Sequence, residues 1–398
     1  MVLLKYLFGF LIFLSLSVNA QELNNMVIYG RVLEKTTGKP IENANVYILN
    51  SLKGSSTDKN GNYKISNMPF GKFIIVASHI NYVFQKKLVN IISKETTVDF
   101  NLRKKIYELP QITVSGESEE EWKEKFNFFR DRFIGTSENA KYTKILNPYQ
   151  INFYKMDNGW LKAEVNGPII VENRALGYKI QYFLDIFEAD KMNTKYSGQP
   201  HFEELTPDSE EEKNAWKENR IEAYCGSLRH FLHCISKQYL IDLKKYKGNI
   251  NNENNDDHEM SFVENQGFEV FIDKNPFSSG IDKIVYPVNT DYLLSPGPVK
   301  SELYLKFDSY LVVRYNRQAE EPSYLDWVGE NRNVYVKESF ITLNKDSVLI
   351  DTKGKFYDPF GIHTYGYWAF ERLADELPFE FSVPDTMAEN ITWVNSRP

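Results

Sequence analysis

The stretch VIYGRVLEKTTGKPIENANVYILNSLKGSSTDKNGNY, from Val27 to Tyr63, decides the fold of the first part of this chain. Val27 to Val32 is apolar and β-prone, and Thr37-Gly38-Lys39-Pro40 supplies turn residues. Ala44 to Leu49 is a second run, in which alternation puts Ala44, Val46 and Ile48 on one face. Thr57 to Tyr63 then reads as a strand end, an Asn60-Gly61 turn in which glycine accepts a positive φ, and the next strand. Runs at Tyr63 to Ile65, Phe73 to Ser78, Phe84 to Val89 and Thr97 to Leu102 bring the set to about seven short strands at regular spacing. That is the pattern of an all-β sandwich over 26–103.

Ahead of the sandwich, Lys5, the apolar run Tyr6 to Leu16 and Ser17-Val18-Asn19-Ala20 match a Sec signal peptide. Val18 and Ala20 are the small residues three and one before a cut at Gln21. The run is short for a span of roughly 20 residues, and no cysteine follows it for lipid attachment. The expectation is removal of residues 1–20 and export to the periplasm or outer membrane of a Gram-negative bacterium.

The 398 residues suffice for two domains with full cores. A net charge of −7 argues against nucleic acid as partner, and 15% aromatic residues suit half-buried strands. Past the leader no apolar stretch approaches a membrane span, so no transmembrane segment is expected in the mature chain.

Four motifs stand in order in the sandwich: G-R-V at 30 to 32, T-G-K-P-I-x-x-A-x-V at 37 to 46, T-D-x-x-G-x-Y at 57 to 63 and P-F-G-K-F at 69 to 73. Together they resemble the carboxypeptidase regulatory-like domain, a transthyretin-like sandwich of exported bacterial proteins and of the N-termini of TonB-dependent receptors. The resemblance implies a non-catalytic domain. Leu109 to Gly116 and the acidic Glu117 to Glu121 resemble the stretch behind that sandwich in the receptors, although no plug or barrel follows here. Residues 104–121 read as a linker, with strand addition by Gln111 to Ser115 to a partner's sheet edge as the functional alternative.

Residues 122–385 read as an α+β domain with antiparallel sheet and one long helix, and 386–398 as a tail. Trp122, Phe126, Phe129 and Phe133 recur at helical spacing up to Gly135. Strands are expected at Gln150 to Met156, Trp160 to Val165 and Gly177 to Glu188, the last with Tyr178, Ile180, Tyr182, Leu184 and Ile186 on one face. A long helix follows, with Thr206 as N-cap and Pro207 at its first position, and with Ile221, Tyr224, Leu228, Phe231, Leu232, Ile235 and Tyr239 on one arc. Asn249 to Glu259 is a polar loop. Further strands are expected at Phe268 to Ile272, Glu302 to Tyr315, Ser339 to Leu343 and Ser347 to Asp351, then a short helix from Tyr367 to Leu377 stopped by Pro378. The motifs E-N-R-A-L-G-Y at 172 to 178 and Y-G-Y-W-A-F-E-R-L-A-D-x-L-P at 365 to 378 resemble the region behind the same sandwich in uncharacterised exported proteins. That likeness implies architecture and location only.

The chemistry is sparse. His201-Phe202-Glu203-Glu204 fits the His-x-x-Glu of a zinc carboxypeptidase, with His363 as the distant ligand; a surface turn is the competing reading for His201. His230, His233 and Cys234 fall within about 100° on one helix face and could start a metal site. Asp58 to Gly61 resembles half a calcium loop or, alternatively, a plain hairpin turn. Tyr365, Tyr367, Trp368, Glu371 and Arg372, with Arg229 and His230, combine rings and charges suited to a sugar- or peptide-binding surface, or to packing of the last helix. Arg174 and Arg229, if buried, are structural pins. Cys225 and Cys234, nine positions apart on one helix, would lie about 13.5 Å apart along the axis, so two free thiols are expected. No G-x-S-x-G, H-E-x-x-H, Walker or dinucleotide motif occurs, so no catalytic residue and no cofactor are named. The expectation is a binding or scaffolding protein whose partner is an envelope protein or glycan; the rival is a hydrolase of peptides or glycans using the C-terminal domain.

Overall fold

Apolar–polar alternation from Met26 onward builds eight strands: β1 (Met26–Glu34), β2 (Asn45–Ile48), β3 (Gly54–Ser56), β4 (Asn62–Met68), β5 (Gly71–His79), β6 (Tyr82–Ile91), β7 (Glu95–Thr97) and β8 (Phe100–Lys104). They pair in the order β3-β2-β5-β6-β8-β1-β4, with β7 beside β1, and fold over one core. Ile28, Val32, Val46, Ile75 and Phe100 are fully buried there. The expected sandwich is what forms: β3 is the strand whose end was read at Thr57, and the run expected from Thr97 to Leu102 is divided between β7 and β8. This computed structural model describes residues 26–105, 118–248, 261–275, 286–287, 290–330 and 336–389. The leader 1–20, Gln111 to Ser115, the loop Asn249 to Glu259 and most of the tail 386–398 lie outside the described residues.

Helix α1 (Glu119–Phe133) starts at Ser118, whose hydroxyl and Glu121 form a reciprocal capping box. It lays Phe129 and Phe133 on a second sheet of β9 (Thr143–Ile145), β10 (Ile151–Lys155), β11 (Leu161–Val165), β12 (Ile169–Asn173), β13 (Tyr178–Ala189) and β14 (Thr194–Glu204). β14 runs along the side of β13 away from β12 and is an edge of this sheet. The single face expected for β13 holds from Tyr178 through Leu184 and fails at Ile186. A register shift between Leu184 and Ile186 re-aims the strand, so Phe187 and Ala189 complete the core. Phe183 points the other way, toward the sandwich.

The expected long helix is two helices, α2 (Glu210–Tyr224) and α3 (Leu228–Gly248). The cap is Ser209, which accepts from the Glu212 amide at 3.2 Å, and not Thr206; Leu205 is still bonded to Gly177 in continuation of the strand. Between the helices Cys225 is extended and Gly226 has φ +81, with the Tyr315 ring where a Cβ would sit, at 2.6 Å. Tertiary bonds hold this break: Trp368 Nε1 donates to the Gly226 carbonyl at 2.8 Å, and the Gly226 amide donates to His230 Nδ1 at 3.1 Å. Both helices still bury the expected arc, from Ile221 to Tyr239, in one core.

That core is closed by β15 (Phe268–Asp273), β16 (Tyr286–Pro287), β17 (Leu294–Pro296), β18 (Glu302–Leu305), β19 (Tyr310–Tyr315), β20 (Lys337–Leu343), β21 (Val348–Asp351) and β22 (Ile362–Gly366). They form two sheets, β16-β15-β19-β20-β22 and β17-β18-β21. The expected single strand Glu302 to Tyr315 is divided near Ser309, at φ +72, and its halves join different sheets. The expected final helix shrinks to one turn, Tyr367–Phe370, and a 3-10 turn, Leu373–Asp375. Trp368 packs in the core of α3 while Leu373 packs in the core of α1, and the extended Glu371 and Arg372 make that crossing.

Candidate functional site

The sandwich is docked on the rest of the chain through the outer face of β2, β5 and β6. Tyr47, Leu49 and Val76, with Ile74 and Phe84, close over Phe183, and the Tyr47 ring stacks on His201 at 4.0 Å between centroids. The loop after β2 fastens this seam. Asn50, at φ +60, donates its amide to the Pro200 carbonyl and accepts from the Phe379 amide at 2.9 Å. The Ser51 hydroxyl and the Leu52 amide both donate to the Glu380 carboxylate. Lys86 adds an ion pair to Asp185 at 3.3 Å.

Beside the seam lies an open cleft of about 540 Å³ between the β2–β3 edge and the end of β14. Its floor is the Tyr47–His201 stack, and its walls carry Asn45, Ser55, Ser56 and Glu203. Gly54 is needed there because a Cβ would meet the Tyr47 Cβ at 2.9 Å. Glu203 accepts from Gln181 Nε2 at 2.7 Å and lies 3.9 Å from His201 Nε2. Burial pushes the His201 pKa below its ordinary value, which keeps the ring neutral. The cleft thus offers amide, hydroxyl and carboxylate groups over a rigid aromatic floor, a set that hydrogen-bonds a polar ligand.

The sequence-expected sites are placed differently. His201 is no surface turn: it is buried in β14. Along a strand, residues three apart face opposite sides, so His201 and Glu204 diverge; Glu204 pairs with Arg220 at 2.8 Å, and His363 sits on β22 beside Asn344. The zinc arrangement does not form.

His230, His233 and Cys234 are not gathered either. His230 is engaged with Gly226, His233 Nδ1 contacts the Thr352 carbonyl at 2.7 Å, and Cys234 is buried in the core of α3. Among the described residues no group of three or more His, Cys, Asp or Glu is placed to hold a metal ion. Cys225 and Cys234 are buried free thiols, although the continuous helix behind that expectation is broken. At Asp58 to Gly61 the carboxylate closes a turn, accepting from the Asn60 and Asn62 amides at 2.9 and 2.8 Å.

The ring-and-charge surface expected around Tyr365 to Arg372 is mostly interior. Tyr367, Trp368 and His230 are buried, Tyr365 lies against Tyr310, and Arg372 lies over the Tyr196 ring. Arg229 is a pin, donating to the carbonyls of Leu377, Pro378 and Phe381. Arg174 is half-exposed and pairs with Asp208 and Glu212. Glu371, Asp375 and Glu376 are partly buried, and desolvation pushes them up to about 8, about 7 and about 7. Asp375 accepts from Ser137 and Asn139, both at 2.9 Å, and neighbouring Glu321 accepts from the Tyr367 hydroxyl at 3.0 Å. Asp375 and Glu321 are thus engaged by structural partners between the two cores of the larger part.

Residues 28–114 match the family model of the CarboxypepD_reg-like domain, so the sandwich is such a domain. No curated protein matches the chain. Similar solved structures include BcpA, the major pilin subunit of Bacillus cereus, 14% identical, over 20% of this chain and 30% of that one, with TM-score 0.17. PA1324 of Pseudomonas aeruginosa, for which carbohydrate binding is the suggested role, is 14% identical over 21% of this chain and 90% of its own, with TM-score 0.17. A DUF3823 family protein of Bacteroides ovatus is 10% identical over 46% and 81%, with TM-score 0.17. Scores this low carry no likeness of overall architecture. No helix among the described residues is long and apolar enough to cross a membrane.

Proposed function

We propose that this is an exported, non-catalytic binding protein of the bacterial cell envelope, whose polar ligand, a glycan or an extended peptide, occupies the seam cleft. One observation carries the reading: the cleft sets Asn45, Ser55, Ser56 and Glu203 around the Tyr47–His201 floor, at a junction held rigid from both sides. Its titratable groups are already engaged, Glu204 with Arg220 and Glu203 with Gln181, and His201 is neutral. This favours recognition over proton transfer. Export rests on the leader sequence alone.

The test is a thermal-shift screen of fractionated envelope glycans and peptides against the chain from Gln21. A ligand present at 100 times its Kd stabilises the fold by about 2.7 kcal/mol. Glu203→Gln combined with Asn45→Ala should erase that shift while leaving the ligand-free midpoint nearly unchanged. An undiminished shift in the double variant would reject the cleft, and turnover of the bound fraction would reject the non-catalytic reading.

A further inference from the structure

Charge is unevenly divided along this chain. Residues 26–105 carry 13 Lys and Arg against 5 Asp and Glu, a net charge of +8, within a chain whose total is −7. The remainder therefore carries −15. The sandwich is a basic unit riding on an acidic body.

Among the described residues of the sandwich the exposed large apolar side chains are Tyr29, Phe70, Ile80, Val83, Leu88 and Ile92, and three of them, Phe70, Leu88 and Ile92, gather toward one end of the β5–β6 pair. On β6 the alternation places Phe84, Lys86, Leu88 and Asn90 on the outer face, opposite Val76, Ile74 and Lys72 of β5. One end of this face is the seam, covered by Phe183. At the other end the covering stops, and Phe70, Leu88 and Ile92 stand 48%, 72% and 76% exposed. Lys72 and Lys94 are exposed beside them, with Glu95 the one acidic neighbour in sequence.

We propose that this end of the sandwich, Phe70, Leu88 and Ile92 flanked by Lys72 and Lys94, is a docking surface for an anionic lipid membrane. Leu88 projects from the outer face of β6, and Phe70 and Ile92 flank the ends of β5 and β6 that pair at Gly71 and Ile91; a fluid acyl boundary accepts such side chains without a matching partner surface. Lysines at their base reach the headgroup level, where each adds about 1 kcal/mol on an anionic leaflet. The segregated charge sets the orientation, because the field draws the basic unit down and turns the acidic body away. This surface is separate from the seam cleft and stands whether or not a ligand binds there.

The test is co-sedimentation of the chain from Gln21, which keeps every described residue, with vesicles of phosphatidylethanolamine and phosphatidylglycerol at 7:3, and with phosphatidylcholine vesicles, at 0.1 and 0.5 M salt. Binding to the anionic vesicles that weakens at high salt and is weak on phosphatidylcholine is the expected result. Lys72→Gln with Lys94→Gln should lower the partition coefficient about 30-fold, two headgroup contacts at the value above. Phe70→Ser, Leu88→Ser and Ile92→Ser together should reduce it at least as much, with an unchanged far-UV spectrum because all three are exposed. Glu203→Gln should bind like the parent. Absence of binding, equal binding to both vesicle types, or variants that bind like the parent would overturn the proposal. So would light scattering that shows a dimer dissolved by these substitutions, since the face would then belong to a second copy.

Discussion

At the residue scale the most consequential position is Gly226. Its positive φ and the Tyr315 ring, 2.6 Å from the place of a Cβ, divide what would otherwise be one helix. Gly226→Ala should destabilise the chain by about 1–3 kcal/mol, from strain at φ plus displacement of the ring. Urea unfolding followed by far-UV circular dichroism measures this, and a neutral substitution would mean that the backbone relaxes into a continuous helix. The helical periodicity through this stretch is genuine and was legible. The interruption was not, because it depends on the ring of a residue 89 positions away.

At the scale of elements, the seam joins the sandwich to β13 and β14, and Phe183 is its centre. Phe183→Ala removes a ring that Tyr47 and Phe84 pack against, at 6.3 and 5.1 Å between centroids. A buried Phe truncated to Ala costs about 3–5 kcal/mol. The expected calorimetric result is two separated unfolding events where the parent shows them coupled; a single, unshifted transition would show that the seam contributes little. Glu380→Ala, which leaves the Ser51 hydroxyl and Leu52 amide without their acceptor, should act in the same direction by about 1–3 kcal/mol. The alternation in β13 was legible as far as Leu184. The bulge beyond it re-aims the strand through its pairing with β14, which was not foreseen as a strand.

At the scale of the whole molecule, Glu371, Asp375 and Glu376 lie where the chain crosses from the core of α3 to that of α1. Their pKa values in the fold, about 8, about 7 and about 7, lie above the ordinary carboxylate range, chiefly through desolvation. The folded state therefore holds protons that the unfolded state has released, so this contribution is complete below pH about 4 and drains away as pH rises through 7 to 8. The unfolding free energy should fall by several kcal/mol from pH 5.5 to pH 8.5, at roughly 1.4 kcal/mol per pKa unit, and the thermal midpoint should fall with it. Glu371→Gln should flatten that slope, and stability that rises over the same window would contradict the assignment. What the sequence determined alone is local: period-two runs with turn residues at Gly38 and Gly61 specify the sandwich, and the helically spaced aromatics Trp122, Phe126, Phe129 and Phe133 specify α1, because each depends on neighbours within a few positions. The seam, the cleft and the interior placement of Tyr367 and Trp368 were decided only in three dimensions. There Tyr47 meets His201 and Trp368 meets Gly226 across more than 140 positions, and no short-range pattern encodes which buried face will find which.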